Sequence, residues 1–137
     1  NLTYLCASAN NIVIEECLSA KLKNIVQLNL SQNKITKLSP FVRLSSLRDL
    51  NLGSNLIGES SEFKYVSSLP ALEYLVLTGN PVSTIIDYRV KVFECFGDRA
   101  KLLCLDNERP SQKELDTANV LRALSVVREG KTLIASP

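Results

Sequence analysis

The sequence predicts an α/β solenoid in which short parallel strands stack into one sheet, followed by a helical cap at the C-terminal end. A pattern of leucines ending in an asparagine recurs about every 22 residues. Within each copy the leucines alternate with other residues, as in a strand with one buried face. Two segments of helical periodicity follow the last regular copy. The chain has 137 residues, of which 45% are hydrophobic and 22% charged, as expected for one globular domain.

The repeat follows the pattern Leu-x-x-Leu-x-Leu-x-x-Asn-x-Ile in three regular copies, whose asparagines are Asn33, Asn55 and Asn80. A weaker copy ends at Asn10, so the four asparagines lie 23, 22 and 25 residues apart. This spacing is typical of the leucine-rich repeat, whose units of about 20–29 residues cannot bury their leucines alone. We therefore predict a parallel sheet with the leucines of successive copies stacked in the core.

The repeat asparagine is predicted to bond backbone groups where the chain turns away from each strand. Such a turn is covered by the neighbouring copies and lacks water as a partner. Substitution of Asn33 by alanine is therefore expected to cost about 1–3 kcal/mol.

The segments that return between strands carry an apolar residue at every third position. In the second copy these residues are Ile35, Leu38, Phe41, Leu44 and Leu47. This period favours short 3₁₀ turns over long α-helices, because side chains at i and i+3 align in that geometry. The third copy is longer, and its extra residues, 58–61, are predicted to form a surface loop, with a contact loop as the alternative.

Two helices are predicted to cap the C-terminal end of the solenoid. The first covers 84–96, with Ile85 at its start and Gly97 placed to end it. The second opens with the Ser-x-x-Glu capping box at 111–114 and can end at Gly130. Its predicted inward stripe consists of Val120, Leu121, Leu124 and Val127.

Residues 1–82 are thus predicted to form about four repeats, the first truncated. Residues 83–137 are predicted to form the cap, which includes a degenerate last repeat at 100–105, with Glu108 at its asparagine position, and the terminal helix. Because the chain starts within one residue of a repeat leucine, we expect the natural protein to continue on the N-terminal side.

The composition argues against several kinds of chemistry. The chain has no histidine, which removes Ser-His-Asp and Cys-His catalysis and histidine-bearing zinc sites. Its four cysteines form no CxxC pair, and we expect them to be reduced in the cytosol. The net charge of +2 does not favour nucleic acid or an anionic membrane, and no apolar run approaches the ~20 residues of a membrane helix. We expect no active site, metal or cofactor.

The candidate binding surface is the concave face of the sheet, which solenoids commonly use for partners. Tyrosines are favoured at interfaces, and amides beside charged residues suit an extended polar ligand. The predicted protein-binding residues are Tyr4, Gln27, Asn29, Arg48, Asp49, Asn51, Tyr74, Val76 and Thr78. Ordinary solvated sheet positions are the alternative. The repeat register places Leu102 beside Tyr74 and Cys104 beside Val76.

Residues 65–125 also resemble a known family. The pairs Asn80-Pro81 and Tyr88-Arg89 resemble a short-repeat class that includes phosphatase-1 regulatory subunits, the U2 snRNP A-prime protein and a dynein light chain. A longer set of motifs is similar to the nischarin family of imidazoline-receptor-related scaffold proteins. These motifs are Ser68-Leu69-Pro70, Asp87-Tyr88-Arg89, Phe96-Gly97, Arg99-Ala100, Cys104-Leu105-Asp106 and 113–117.

The nischarin resemblance implies a cytoplasmic, endosome-associated scaffold. Family members are described as binding an integrin alpha-5 cytoplasmic tail, Rac-type GTPases and p21-activated or LIM kinases, and as restraining cell migration. The residues themselves indicate a non-catalytic protein-interaction module. The alternative is a regulatory or structural subunit of the same repeat class, such as a phosphatase-1 targeting or ribonucleoprotein component.

Overall fold

The computed structural model describes residues 4–6 and 24–128. Five short strands form one parallel sheet in chain order. They are β1 (Tyr4–Cys6), β2 (Gln27–Asn29), β3 (Asp49–Asn51), β4 (Tyr74–Val76) and β5 (Cys104–Leu105). The predicted solenoid with its parallel sheet and helical cap is confirmed. The first repeat asparagine, Asn10, and the proposed helix end at Gly130 lie outside the described residues.

The core contains a ladder of leucines, one from each of the strands β2 to β5. Leu28 pairs with Leu50, Leu50 with Leu75, and Leu75 with Leu105. None of these four side chains is more than 2% exposed. Burial of each contributes about 1.5–3 kcal/mol, so the stacked ladder is the main force that holds successive repeats together.

The convex side consists of short turns, as the three-residue period predicted. One 3₁₀ turn spans Ser39–Phe41, and another spans Ser60–Glu62 and leads into the short helix α1 (Phe63–Ser67). The prediction of a loop over 58–61 is therefore wrong for its last two residues. Glu62 and Phe63 are buried directly after them, and this burial draws the chain into a turn packed on the core.

The repeat asparagines form a second, polar ladder inside the solenoid. Asn33, Asn55 and Asn80 are all buried. The Asn55 Oδ1 accepts the Ile35 N–H at 3.0 Å, and the Asn80 Oδ1 accepts the Asn55 and Ile57 N–H groups, each at 3.1 Å. The Asn55 and Asn80 side chains thus bond the repeat before their own, in addition to carbonyls of their own turns.

The cap begins with a 3₁₀ turn, Pro81–Thr84, and continues into helix α2 (Tyr88–Phe96). The predicted start of this helix at 84 is wrong, and Ile85 is not part of it. Pro81 starts the 3₁₀ turn, and Asp87 then has a left-handed φ of 61°, which interrupts any continuous helix. Gly97 ends α2 as predicted, with a positive φ of 61° and its N–H bonded to the Phe93 carbonyl.

The last helix, α3 (Gln112–Arg128), starts at the predicted capping box. The Ser111 N–H donates to Glu114 Oε1 at 2.9 Å, and the Glu114 N–H donates to Ser111 Oγ at 3.1 Å. The predicted inward stripe is wrong for Val120 and Leu124, which are 58% and 50% exposed.

The residues of α3 that pack on the core are Leu115, Ala118 and Leu121. Their three-residue spacing places them on one side of the helix, and the Arg89–Glu114 ion pair orients that side toward α2. Of the predicted inward residues, only Leu121 therefore faces the core; the side chain of Val127 lies outside the described part of the chain.

The register of the last repeat also differs from the prediction by two residues. Cys104, not Leu102, pairs with Tyr74, and Leu105 pairs with Leu75. Leu102 belongs to a 3₁₀ turn, Gly97–Leu102, and is 59% exposed. The turn occupies positions that would belong to the strand in an ordinary repeat, so the strand starts later in the chain. Glu108 accordingly does not occupy a repeat asparagine position; it forms a bridge with Leu105 in a tight turn.

Candidate functional site

One row of side chains crosses the concave face of the sheet. The strand register places Tyr4, Gln27, Asp49 and Tyr74 side by side on four neighbouring strands. Tyr4 is 55% exposed and Tyr74 is 41% exposed, whereas Asp49 between them is half-buried. Because neighbouring strands lie about 4.8 Å apart, a single extended ligand could contact several of these side chains at once.

A second row lies one step further along the strands and contains Asn29, Asn51 and Val76. The Asn29 Oδ1 accepts the Ser31 N–H and the Asn51 Oδ1 accepts the Gly53 N–H, both at 3.0 Å. These bonds fix the two amides on the face. Within the described part of the chain their Nδ2 groups have no acceptor, so both remain available as donors to a ligand.

The two rows enclose a shallow pocket of about 170 Å³. This volume corresponds to about five or six water molecules, enough for one long side chain. Its lining residues are Tyr4, Gln27, Leu28, Asn29, Asp49 and Asn51. Five of these six side chains were predicted contact residues, and the structure brings them together.

Two other predicted residues lie at the margins. Arg48 precedes β3 and forms an ion pair with Glu73 at 3.2 Å, with the two side chains 55% and 47% exposed. Thr78 lies beyond the end of β4, where its N–H donates to Asp106 Oδ1 at 3.1 Å. The predicted set therefore divides into a central cluster on strands β1–β4 and two peripheral positions.

Asp106 is a residue whose role the sequence pattern did not reveal. Its Oδ1 also accepts the Leu77 N–H at 2.7 Å, and its Oδ2 accepts the Tyr88 hydroxyl at 2.7 Å. Burial, followed by the hydrogen bond to Asp106 and the charge of Asp106, raises the pKa of Tyr88, while Arg89 opposes the shift. Asp106 thus joins the last full strand to the cap, and its carboxylate is already fully engaged.

Arg89, the second half of the Tyr-Arg pair, holds the cap together. Its Nη1 donates to the Leu105 carbonyl at 2.8 Å and its Nε to Glu114 Oε2 at 2.9 Å. Desolvation opposes ionisation of Glu114, but its hydrogen bonds with Arg89 and Ser111 outweigh this and hold the pKa of Glu114 below its usual value. The motif that carried the family resemblance therefore has a structural function in this chain.

A larger pocket of about 340 Å³ opens in the cap between α2 and α3. Its lining includes Ile85, Asp87, Arg89, Lys113 and Thr117. Sequence reasoning missed it because it forms between two helices whose relative placement depends on the Arg89 contacts.

The described residues offer no grouping of three or more cysteine, aspartate or glutamate side chains suited to a metal ion. Across residues 4–6 and 24–128, no helix is long and apolar enough to span a bilayer. On the described part of the concave face, the groups open to a partner are hydrogen-bonding side chains, the carboxylate of Asp49 and the rings of Tyr4 and Tyr74, which together suit recognition of a partner.

Comparisons with known proteins identify the repeat. A family model described as Leucine Rich repeats (2 copies) matches residues 23–65. The chain is similar to a chain of the Drosophila melanogaster SNF/U2A' complex, with 23% identity and a TM-score of 0.64 over 89% of this chain and 68% of that one. It is also similar to a chain of the Chaetomium Mex67:Mtr2 subunits, with 26% identity and a TM-score of 0.53 over 74% and 67% of the two chains. Residues 23–65 thus match leucine-rich repeats, and the likeness to these solved structures agrees with a repeat solenoid over most of the chain.

Proposed function

We propose that this domain is a non-catalytic protein-interaction module that binds its partner on the concave face. The observation that carries the proposal is the row of Tyr4, Gln27, Asp49 and Tyr74, whose side chains have no hydrogen-bond or ion-pair partner among the described residues. Exposed tyrosines beside such polar groups are the composition that protein interfaces favour.

We further propose that the natural protein is a cytoplasmic, endosome-associated scaffold of the nischarin type. The candidate partners are an integrin alpha-5 tail, Rac-type GTPases and p21-activated or LIM kinases. Support comes from the sequence resemblance over 65–125, whose motifs include Tyr88 and Arg89. Because these two residues also hold the cap together, other proteins with the same cap would share them.

The second candidate is a constant subunit of a larger assembly, such as a ribonucleoprotein or a phosphatase-1 complex. It is favoured by the fold likeness to chains from the SNF/U2A' complex and the Mex67:Mtr2 subunits, which are both named as assemblies. A constant subunit would co-purify with its partner in a fixed ratio, whereas a signalling scaffold would exchange partners.

The test is calorimetric titration of the domain with an integrin alpha-5 tail peptide, a Rac-type GTPase and the kinases in turn. The informative variant is Gln27→Ala/Tyr74→Ala, which removes two exposed side chains that make no hydrogen bond within the described residues. The matched control is Val42→Ala/Leu56→Ala, which removes two exposed apolar side chains, 40% and 51% exposed, away from the strands.

A partner that binds the intact domain should bind the concave variant at least about tenfold more weakly, because a tyrosine that is an interface hot spot contributes about 2 kcal/mol or more. The control variant should bind normally. Equal loss in both variants, or no loss in the concave variant, would contradict the concave site. Failure of all these partners, together with stoichiometric recovery of a ribonucleoprotein or phosphatase subunit, would favour the second candidate.

A further inference from the structure

Asp49 on the concave face has no counter-ion among the described residues. Asp49 is half-buried and accepts no hydrogen bond from the part of the chain that the structure describes. The other carboxylate at this face, Asp106, is used by Tyr88 and by two backbone N–H groups. The nearest cation along the chain, Arg48, is paired with Glu73 at 3.2 Å. The described strands contribute no lysine or arginine, so the face has a net negative charge centred on Asp49.

We propose that the partner places an arginine side chain in the 170 Å³ pocket, where Asp49 binds its guanidinium group. This inference rests on the proposed function, because it names the chemistry that the concave face selects. A carboxylate next to exposed aromatic rings is complementary to a planar cation, which can bond the carboxylate at two oxygens and lie against a ring.

The neighbours of Asp49 favour arginine over lysine. Tyr74 lies beside Asp49 on the next strand, and Gln27 lies on the other side, followed by Tyr4. An arginine can stack on a tyrosine face while its several N–H groups reach both the Asp49 carboxylate and the Gln27 amide oxygen. A lysine ammonium has three donors and a stronger hydration shell, so it would lose more on entering and gain fewer bonds.

The amides of the second row extend this recognition to the partner's backbone. The Oδ1 atoms of Asn29 and Asn51 are held by backbone N–H groups, which leaves their Nδ2 groups as donors at the pocket wall. Donors at this position suit the carbonyl groups that flank an arginine in an extended segment. The surface therefore selects an arginine within an extended polypeptide stretch of a partner protein.

The test is a ¹⁵N-edited NMR titration of the whole chain with three blocked tripeptides, acetyl-Gly-Xaa-Gly-amide, in which Xaa is arginine, lysine or citrulline. Citrulline has the shape of arginine without its charge, so it separates charge from shape. The backbone amides of Gln27, Asn29, Asp49 and Asn51 should shift with the arginine peptide. The lysine peptide should bind several-fold more weakly, and the citrulline peptide at least about tenfold more weakly, as expected for a lost charge-assisted pair.

The Asp49→Asn variant should weaken arginine-peptide binding by a similar factor, whereas Asp116→Asn, an exposed carboxylate on α3, should not change it. Equal shifts with the arginine and citrulline peptides, shifts that persist in Asp49→Asn, or no shift at these four amides would overturn the arginine assignment. None of these results would contradict the proposed function, which is decided by whether Gln27→Ala/Tyr74→Ala weakens protein-partner binding. Binding of the arginine peptide alongside unchanged partner binding in that variant would instead refute the proposed function.

Discussion

The stability of the solenoid should depend on how many buried donors each repeat asparagine satisfies. The Asn80 Oδ1 accepts two buried N–H groups, those of Asn55 and Ile57. Its Nδ2 donates to the Leu52 and Leu77 carbonyls. Alanine at position 80 leaves both N–H groups without an acceptor. At about 1–3 kcal/mol for each unsatisfied buried group, Asn80→Ala should lower the free energy of unfolding by about 4 kcal/mol.

Among the described contacts, the Asn55 side chain bonds three carbonyls and accepts a single backbone N–H group. Alanine at this position leaves the Ile35 N–H unsatisfied, because the Asn55 Oδ1 is its acceptor at 3.0 Å. The three carbonyls each keep another donor in the variant. The Leu30 carbonyl keeps the Asn33 side-chain amide as its donor, and the Leu52 carbonyl keeps that of Asn80. The Gly53 carbonyl keeps the backbone N–H of Gln32. Asn55→Ala should therefore cost about 2 kcal/mol, roughly half the cost of Asn80→Ala.

Urea unfolding followed by circular dichroism measures this difference. With a slope of about 2 kcal/mol per molar urea, the midpoint should fall by about 2 M in Asn80→Ala and about 1 M in Asn55→Ala. The matched control is Asn119→Ala on the exposed side of α3, which should change stability by no more than about 0.5 kcal/mol. If Asn55→Ala costs as much as Asn80→Ala, or if both behave like the control, the number of N–H groups left without an acceptor does not determine the stability lost at these asparagines.

Three further predictions concern the core and the cap. Leu50→Asp places a charge at a fully buried position of the leucine ladder and should abolish the cooperative thermal transition, which calorimetry would detect. Because the pKa of Glu114 is lowered in the folded chain, its contribution to stability is present above its unfolded value of about 4.3 and is lost as the pH falls through the folded value. Glu114→Gln should therefore lose less stability than the parent chain between about pH 5 and 3 in acid-unfolding curves. Identical curves for the two chains would contradict this. Tyr88→Phe removes the hydroxyl that donates to Asp106 at 2.7 Å and should cost about 1 kcal/mol. Urea unfolding would measure this loss, and an unchanged midpoint would contradict a stabilising role for the hydroxyl.

The sequence predicted the regular part of the fold well because its repeat is strict. The alternation around Leu28, Leu50 and Leu75 specifies which face of each strand is buried, and the asparagine at a fixed offset specifies where the strand ends. Each copy supports the prediction for the others. The strand register over β2–β4, and with it the central cluster on the concave face, follows from this repetition.

The prediction failed where the repetition ends. The repeat pattern predicts Leu102 on the sheet, because 100–105 matches the spacing of an ordinary copy, but a 3₁₀ turn occupies 97–102. Val120 and Leu124 were placed inward from hydrophobicity alone. The orientation of α3 depends instead on Arg89, which bonds Glu114 and the Leu105 carbonyl across the cap. Contacts between residues 16 and 25 positions apart leave no periodic signal in the sequence.

Several buried N–H groups of one repeat have their acceptor in the side chain of the repeat that follows it. Asn55 supplies an acceptor to the repeat before it, as does Asn80, and Glu62 accepts the N–H of Leu38 at 2.7 Å. Asp106 does the same for Leu77. During synthesis, which proceeds from the N-terminus, each repeat therefore leaves the ribosome with buried donors that only the next repeat can satisfy. Folding of the growing domain should lag one repeat behind translation and become complete only when the cap has emerged.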